Sequence, residues 1–416
     1  MGGVVVPKLT EYRKTVDCAP DKSVSVRAVI FNGYATGSAT VKNISRCADV
    51  MSAAQCMREL GASVRFDGDS AHITGAAFHG AKLNCGNSAT TARLLIGLLS
   101  GLNGVFELDG DTSLRARPMR RVTDPLREMG AEITDTDGRL PIKIIGAPLK
   151  GGEFDLTVPS AQVKSALLLA GLNASGTVRV TEKAKTRDHT EILLREMNGR
   201  ISADGNTVTV APSVIYARDM TVVGDASAAV YPVCIALGIK GGACKIKNVG
   251  LNPTRTAVFD VLRASGANIK TDNVRGGAEP CGDVTAEYGV LRPIAVGSDV
   301  APSVIDEIPA LCALACAIDG VSEFAGVGEL RVKETDRIKT TVAALKSLGA
   351  DISATSDKIT VRGGKRLLFG EVDARGDHRI AMAASVAGAI GAGAYIADGE
   401  CVAVSYPDFF KEVIGV

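Results

Sequence analysis

The most regular feature of the chain is a set of segments that are apolar on almost every face. Each begins at a serine or an aspartate and then carries few polar residues over several helical turns. A helix that is apolar all round is buried, so these segments predict core helices. The six predicted core helices are Ser23–Ala35, Ser88–Ser100, Ser160–Leu172, Asp225–Leu237, Asp306–Ile318 and Asp377–Ile390.

A second pattern, a recurring helix end, interleaves with the core helices. In Leu126–Ala131 and Leu345–Ala350, for example, a leucine, a basic residue and an apolar residue lead into Gly-Ala. This pattern predicts the last turn of a surface helix with glycine just beyond it, followed by an alternating strand. The punctuating positions are 61, 130, 198, 266, 349 and 415, at intervals of 66 to 83 residues. We therefore predict six βαβ-type units, arranged as three units in each of two domains.

The starts of the predicted core helices are unusually polar. Serine and aspartate there are explained by ordinary N-capping. The cations are not, because a helix N-terminus already carries partial positive charge. Lys22, Arg27 and Arg379 at or near these starts, with Gln162, therefore predict bound anions.

One stretch, Glu329–Arg337, contains three cations and three carboxylates in nine residues. Read as a strand running into a helix, it places Arg331, Lys333 and Thr335 on one face. Helical spacing from Lys333 would instead bring Lys333 and Arg337 together. Either arrangement suits a phosphorylated substrate and a proton transfer, and the alternative is a solvated charged loop.

Composition narrows the class of protein. The 416 residues are 46% hydrophobic and 22% charged, which is typical of a globular protein. Lys+Arg 47 against Asp+Glu 46, with 4% aromatic residues and no Trp, argues against a nucleic-acid binder. The ten Cys are scattered and only four His are present, so neither a zinc site nor a disulfide framework is predicted. We expect no metal, no cofactor and no membrane segment, and a reducing cytoplasm as the location.

Eight short blocks of the sequence, taken together, resemble one enzyme family. In order they are Lys22–Arg27, Gly86–Arg93, Arg115–Met119, Ser160–Ser165, Thr186–Glu191, Gly224–Ala229, Leu330–Ile338 and Asp377–Met382. They look like the signature blocks of the 5-enolpyruvylshikimate-3-phosphate synthases, and they cover the chain from about residue 20 to its end. Eight blocks in the family's order make the resemblance specific.

The resemblance implies a fold, a reaction and a domain arrangement. The fold is α/β (α+β), with two similar domains, each of three βαβαββ units around buried parallel helices, like an inverse α/β barrel. The domains would be 19–222, and 1–18 joined with 223–416, closing over an active site in the cleft between them. The reaction is transfer of the enolpyruvyl group of phosphoenolpyruvate to shikimate 3-phosphate, releasing phosphate, in the shikimate pathway towards chorismate and aromatic amino acids. The resemblance also implies a monomer.

Site residues are carried over by matching the blocks. The shikimate 3-phosphate positions are Lys22, Ser23, Arg27, Ser160, Ala161, Gln162, Thr186, Asp306 and Lys333. The phosphoenolpyruvate positions are Lys22, Asn87, Ala89, Arg117, Gln162, Arg337 and Arg379. Asp306 and Glu334 match the acid/base pair, and Lys22 would stabilise the departing phosphate. Alternatively, Arg117 is a surface arginine beside Pro118, and His378 is a buried core histidine.

The sequence departs from the family pattern in a few places. Ala19-Pro20-Asp21 replaces the usual Pro-Gly, Val26 stands where Asn or His is frequent, and Val404 stands where many members have a lysine. Ala89 stands where many have glycine, beside the position at which the inhibitor glyphosate competes. An added methyl group there predicts tolerance to glyphosate.

Two other functions remain open at this point. One is UDP-N-acetylglucosamine enolpyruvyl transfer, which uses the same fold but needs a reactive cysteine on a mobile loop. The other is a non-catalytic binding protein on this fold.

Overall fold

The computed structural model describes residues 2–416, which form two compact units. One unit is Pro20–Val222, here called the N-half unit. The other, the C-half unit, combines the residues up to Ala19 with Val223–Val416. Each unit is built from three small sheets and three core helices.

The N-half unit contains three four-stranded sheets. Its helices are Lys22–Tyr34, Ala48–Glu59, Ala89–Ser100, Thr112–Ala116, Arg120–Glu128, Ala161–Gly171 and His189–Glu196. Its strands are Ser38–Lys42, Ser63–Asp67, Ser70–Thr74, Ala81–Asn84, Val105–Asp109, Glu132–Thr136, Arg139–Ile145, Gly152–Leu156, Val178–Glu182, Arg200–Asp204, Thr207–Ala211 and Met220–Thr221. Each sheet combines one parallel pair with antiparallel pairing, as the βαβαββ repeat requires.

The C-half unit contains two four-stranded sheets and one three-stranded sheet. Its α-helices are Ala226–Gly238, Ala257–Ala264, Ile308–Ala315, Arg337–Ser347 and His378–Ile390, with 3₁₀ turns at Ala301–Ser303, Gly328–Val332 and Gly399–Val404 and a π-helical turn at Phe410–Ile414. Its strands are Val4–Val6, Arg13–Asp17, Ala243–Gly250, Asn268–Arg275, Cys281–Glu287, Ala295–Val296, Gly320–Ala325, Asp351–Ala354, Lys358–Gly363, Glu371–Val372 and Ala394–Ile396. In the three-stranded sheet, Val4–Val6 pairs antiparallel with Ala394–Ile396.

All six predicted core helices are present and buried. Helices Ala89–Ser100 and Ala161–Gly171 touch backbone to backbone at Gly97, where an added Cβ would lie 2.1 Å from the carbonyl oxygen of Ala166. Only glycine permits this approach. The contact fixes the first turns of these two helices relative to each other, and both turns carry predicted site residues.

The starts of the core helices differ in detail from the prediction. Five are capped by a side-chain oxygen that accepts a backbone N–H, from Asp21, Ser88, Ser160, Asp225 and Asp377. The first cap is therefore Asp21 and not Ser23. The fifth helix starts at Ile308, later than the predicted Asp306, and its N-cap Glu307 makes no capping bond. Asp306 thus precedes the helix.

The predicted helix ends are confirmed by the backbone. Their punctuating residues, Gly61, Gly130, Asn198, Gly266, Gly349 and Gly415, all have positive φ, between 64° and 109°. This left-handed conformation is the usual way for a helix to end. In the sixth copy the surface helix is reduced to the π-helical turn Phe410–Ile414. Among the described residues, every helix is too short or too polar to cross a bilayer.

Candidate active site

In the N-half unit, Lys22 and Arg27 lie on the first core helix, and both are engaged by protein groups. Lys22 Nζ lies 2.9 Å from Asp49 Oδ2. The buried Arg27 donates from Nε to Thr190 Oγ1 at 2.8 Å and from Nη2 to Ser165 Oγ at 3.2 Å. Part of the positive charge that predicted an anion is therefore balanced by Asp49.

Asn87 and Arg117 form a polar cluster next to the start of the Ala89 helix. Arg117 Nη2 donates to Asn87 Oδ1 at 2.6 Å, and Asn87 Nδ2 donates to Asp111 Oδ2 at 2.6 Å. Arg117 is only 6% exposed, so it is not a surface arginine. Ala89, the first helical residue, is 7% exposed, which leaves its methyl group closely surrounded.

Gln162 connects the second and third core helices of this unit. Its Nε2 donates to Thr90 Oγ1 at 2.9 Å, and its Oε1 accepts from Arg93 Nη1. Arg93 also donates to the Pro118 carbonyl at 3.2 Å. Sequence reasoning had not assigned a role to Arg93, although it closes the Gly86–Arg93 block.

Side-chain bonds therefore join the first two turns of all three core helices of the N-half unit. Arg27 reaches Ser165, and Gln162 reaches Thr90. Because each helix start presents free N–H groups and partial positive charge, three neighbouring starts favour a multiply charged anion. Ser160 caps its own helix, and Ala161 is the first helical residue.

Thr186, the remaining predicted residue of this unit, lies in a loop above a buried carboxylate. Its hydroxyl donates to Glu182 Oε1, and its backbone N–H donates to Glu182 Oε2 at 3.4 Å. Glu182 also pairs with Lys164. Neither Glu182 nor Lys164 was identified from the sequence as part of a site.

In the C-half unit, Asp306 brings Lys333 and Arg337 together. Asp306 Oδ1 lies 3.3 Å from Lys333 Nζ and 3.2 Å from Arg337 Nη1. The strand predicted for this stretch is wrong. Gly328–Val332 is a 3₁₀ turn, Lys333 is non-helical, and a helix begins at Arg337. The two cations meet through a shared carboxylate instead of through helical spacing.

Arg337 is surrounded by carboxylates although it is only 1% exposed. Besides Asp306, it donates from Nε to Asp377 Oδ2 at 2.8 Å and from Nη2 to Glu334 Oε2. Burial lowers the pKa of the Arg337 guanidinium, but the charges of Asp377, Glu334 and Asp306 outweigh burial and raise it. Arg337 therefore stays charged and holds both proposed acid/base carboxylates in place.

Arg379 lies in the first turn of the last core helix and is 6% exposed. Its guanidinium interacts electrostatically with the buried Tyr231 hydroxyl. Burial lowers the pKa of Arg379. The opposing effect of nearby Tyr231, Asp306 and Glu307 is larger, so the pKa is raised overall. Burial raises the pKa of Tyr231 to about 12, so the phenol is neutral and donates or accepts without charge. His378 is a buried core residue, 1% exposed.

A second buried network in the C-half unit supports these residues and was not predicted. Arg255 Nη2 lies 2.7 Å from Asp225 Oδ1 and 2.9 Å from Ser227 Oγ, and Ser227 donates to Glu307. The signal in the sequence was the Asp225 block, whose aspartate both caps its helix and pairs with Arg255. Val404, where a lysine is frequent, lies half-buried in the 3₁₀ turn Gly399–Val404.

Across residues 2–416, no group of three or more His, Cys, Asp or Glu is arranged to hold a metal ion. The carboxylates of the candidate site are matched with cations instead.

Comparison with known proteins identifies the family. The family model described as EPSP synthase (3-phosphoshikimate 1-carboxyvinyltransferase) matches residues 6–413. This chain belongs to the EPSP synthase family. It is 43% identical over 418 aligned positions to a 3-phosphoshikimate 1-carboxyvinyltransferase of Geobacillus kaustophilus, covering 97% of this chain and 98% of that one. It is 42% identical over 409 positions to the protein of that name from Shouchella clausii, covering 96% and 95% of the two chains.

Solved structures of EPSP synthase confirm the predicted fold. The chain resembles an EPSP synthase from Acinetobacter baumannii with a TM-score of 0.84 and 35% identity, covering 98% of this chain and 96% of that one. A second structure of the Acinetobacter baumannii enzyme matches this chain with a TM-score of 0.83 and 34% identity, with the same coverage. The six units in two domains predicted from the repeats agree with the two-domain enolpyruvyl transferase fold of the family, which the resemblance implied.

Proposed function

We propose that this chain transfers the enolpyruvyl group of phosphoenolpyruvate to the 5-hydroxyl of shikimate 3-phosphate. The products are 5-enolpyruvylshikimate 3-phosphate and phosphate. The observation that carries the proposal is the C-half cluster, in which Asp306 and Glu334 are both held by Arg337. Two carboxylates fixed by one buried cation provide the two proton-transfer groups that an addition followed by an elimination needs.

In the addition step, the 5-hydroxyl loses its proton and attacks C2 of phosphoenolpyruvate, while C3 gains a proton. In the elimination step, C3 gives a proton back and the C2–O bond to phosphate breaks, so the enolpyruvyl ether forms and phosphate leaves. We propose Asp306 and Glu334 as the acid and base of these steps. Lys22, held by Asp49, would neutralise the departing phosphate.

The anionic groups of phosphoenolpyruvate would be held by arginines, whose planar fork suits carboxylate and phosphate. We assign Arg117, Arg337 and Arg379, with Asn87, Ala89 and Gln162, to this substrate. The three carboxylate bonds of Arg337 use three of the five N–H donors of a guanidinium. Arg337 therefore retains donors for a substrate while it positions Asp306 and Glu334.

Shikimate 3-phosphate would lie against the helix starts of the N-half unit. We assign Lys22, Ser23, Arg27, Ser160, Ala161, Gln162 and Thr186 to it, with Asp306 and Lys333 from the C-half unit. The three neighbouring helix starts support a dianionic phosphate at this position. The proposal requires residues of both units to act on one pair of substrates, so we propose closure of the domains 19–222 and 1–18 with 223–416 over them.

The assay that tests the function is phosphate release from phosphoenolpyruvate with alternative acceptors. We expect phosphate release with shikimate 3-phosphate and none above background with UDP-N-acetylglucosamine. Release with the nucleotide sugar alone would support the sister reaction, and release with neither would support a non-catalytic binding protein. We further propose that the enzyme acts as a cytoplasmic monomer, which sedimentation and fractionation would test.

A further inference from the structure

A buried ionic network in the N-half unit lies next to the proposed acceptor site but contains no proposed substrate ligand except Thr186. Lys164 Nζ lies 2.7 Å from Glu182 Oε2 and 2.7 Å from Glu191 Oε1. The three side chains are 1%, 1% and 4% exposed, respectively. Burying one cation with two carboxylates is costly, so the network is not explained by its contribution to stability alone.

The network connects two segments that carry proposed ligands of shikimate 3-phosphate to the helix His189–Glu196. Lys164 lies one turn after Ser160 on the third core helix. Glu182 ends the strand Val178–Glu182 and binds both the hydroxyl and the backbone N–H of Thr186. Glu191 lies in the helix His189–Glu196.

A second set of bonds runs beside the network and reaches another proposed ligand. Thr190, next to Glu191, shares a 2.6 Å hydrogen bond with Ser165, next to Lys164. Both hydroxyls also accept from Arg27. Two contacts therefore connect the helix of Lys164 with the helix of Glu191: the Lys164–Glu191 ion pair and the Ser165–Thr190 hydrogen bond. The two hydroxyls of the second contact also position the guanidinium of Arg27.

We propose that Lys164, Glu182 and Glu191 are positioning residues that set the affinity for the acceptor substrate by fixing the Thr186 loop. This inference rests on the proposed function, because Thr186 is assigned to shikimate 3-phosphate there. Glu182 acts through Thr186: the carboxylate takes both N–H and O–H of that residue, so the loop has one orientation. Lys164 and Glu191 hold Glu182 in turn.

A double-mutant cycle separates positioning from general stability. Glu182→Gln should raise the dissociation constant for shikimate 3-phosphate about tenfold, an effect of one hydrogen bond to a charged group. The KM for phosphoenolpyruvate should change less than about twofold. In a protein that already carries Thr186→Val, Glu182→Gln should raise the dissociation constant for shikimate 3-phosphate by less than about a further twofold. Effects of Glu182→Gln and Thr186→Val that multiply in the double variant would overturn the proposal.

The matched control is Thr181→Val. Thr181 precedes Glu182 in the same strand, and its hydroxyl shares a 3.1 Å bond with that of Thr207, which is not a proposed ligand. Its loss should lower stability somewhat and leave the dissociation constant unchanged. An equal loss of acceptor affinity in Thr181→Val and Glu182→Gln would show a merely structural effect and overturn the proposal.

Should Glu182→Gln fail to fold, an apolar replacement of the whole network keeps the question answerable. In Lys164→Met/Glu182→Leu/Glu191→Leu no charge is left buried, and such replacements commonly retain stability. This variant removes the carboxylate that accepts hydrogen bonds from Thr186. We therefore expect a folded protein whose affinity for shikimate 3-phosphate is reduced at least tenfold. Wild-type acceptor affinity in this folded variant would overturn the proposal.

Amide hydrogen exchange of the free protein gives a readout that does not depend on the proposed function. The N–H of Thr186 should exchange faster in Glu182→Gln than in the wild type, while Thr181→Val leaves it unchanged. Unaltered exchange at Thr186 would refute positioning. Wild-type protein that releases no phosphate with shikimate 3-phosphate, yet shows the expected exchange, would instead refute the proposed function and leave the network's effect on the loop established.

Discussion

The sharpest test of the proposed chemistry is Asp306→Asn. Asp306 Oδ1 lies 3.2 Å from Arg337 Nη1 and 3.3 Å from Lys333 Nζ, and its side chain is 13% exposed. Asparagine keeps the shape and one oxygen but cannot accept a proton at neutral pH. Because acid/base catalysis contributes roughly 100- to 10,000-fold, or about 2.7–5.5 kcal/mol, we expect turnover to fall by at least about 100-fold.

The same substitution should leave phosphoenolpyruvate binding intact. Asp306 pairs with Lys333 and Arg337, and its charge also acts on the buried Arg379. The variant removes one negative charge from this cluster, which weakens repulsion of an incoming anion. We expect a dissociation constant equal to or lower than that of the wild type. The lost charge should lower the free energy of unfolding by about 1.5–3 kcal/mol, the range for a hydrogen bond to a charged group.

The assay combines steady-state phosphate release with direct binding of phosphoenolpyruvate by calorimetry in the presence of shikimate 3-phosphate. Asp336→Asn is the matched control. Asp336 caps the Arg337 helix and pairs with Arg331 at 2.7 Å, and asparagine is an equally good cap. Its activity should stay within about twofold of the wild type. Turnover of Asp306→Asn within tenfold of the wild type would refute a proton-transfer role for Asp306.

Three further predictions concern other parts of the molecule. Arg379→Ala should weaken phosphoenolpyruvate binding by about 1.5–3 kcal/mol, or roughly 10- to 150-fold, since a buried anion loses a charged donor; calorimetry would measure it, and a change in thermal stability alone would argue against the role. Ala89→Gly should lower the glyphosate inhibition constant by roughly 5- to 150-fold, because the methyl group of a residue that is 7% exposed occupies the space that the longer inhibitor needs; equal inhibition constants would sink the idea of intrinsic tolerance. Glu191→Gln should gain stability relative to the wild type as pH rises above 4.5. Burial raises the pKa of Glu191 above its ordinary 4.5, although Lys164 acts in the opposite direction. The wild type therefore loses stability as that carboxyl ionises, whereas glutamine cannot ionise. Urea unfolding of both proteins across that range would show it, and a stability difference independent of pH would contradict it.

The fold was predictable because two independent sequence patterns, the core helices and the helix ends, show the same sixfold repeat. The left-handed residues Gly61, Gly130, Gly266 and Gly349 and the apolar segments both follow local rules of backbone conformation and burial. The start of the fifth core helix was not predictable from those rules. Asp306 is a good N-cap residue by type, but it is engaged by Lys333 and Arg337, and the helix begins after it.

The candidate site was predicted only as far as its residues lie in recognisable blocks. Arg117, Arg337 and Arg379 fall in such blocks, and the structure buries all three. Asp49, Glu182 and Tyr231 belong to segments whose sequences are those of an ordinary helix or strand, and Lys164 lies in a block but matches no assigned ligand. Their contacts join positions up to 148 residues apart, as in Tyr231 with Arg379, and local patterns carry no information about such pairs.

The strand Val4–Val6, which completes the last sheet of the C-half unit, has a consequence for synthesis on the ribosome. Its partner Ala394–Ile396 is synthesised long after it, and Pro20–Val222 is complete before that partner appears. The N-half unit can therefore begin to fold while the residues before it wait as an unpaired strand. Residues 4–6 must stay unaggregated for the whole of that interval, and the neighbouring Lys8, Glu11 and Arg13 supply the charges that discourage premature strand pairing.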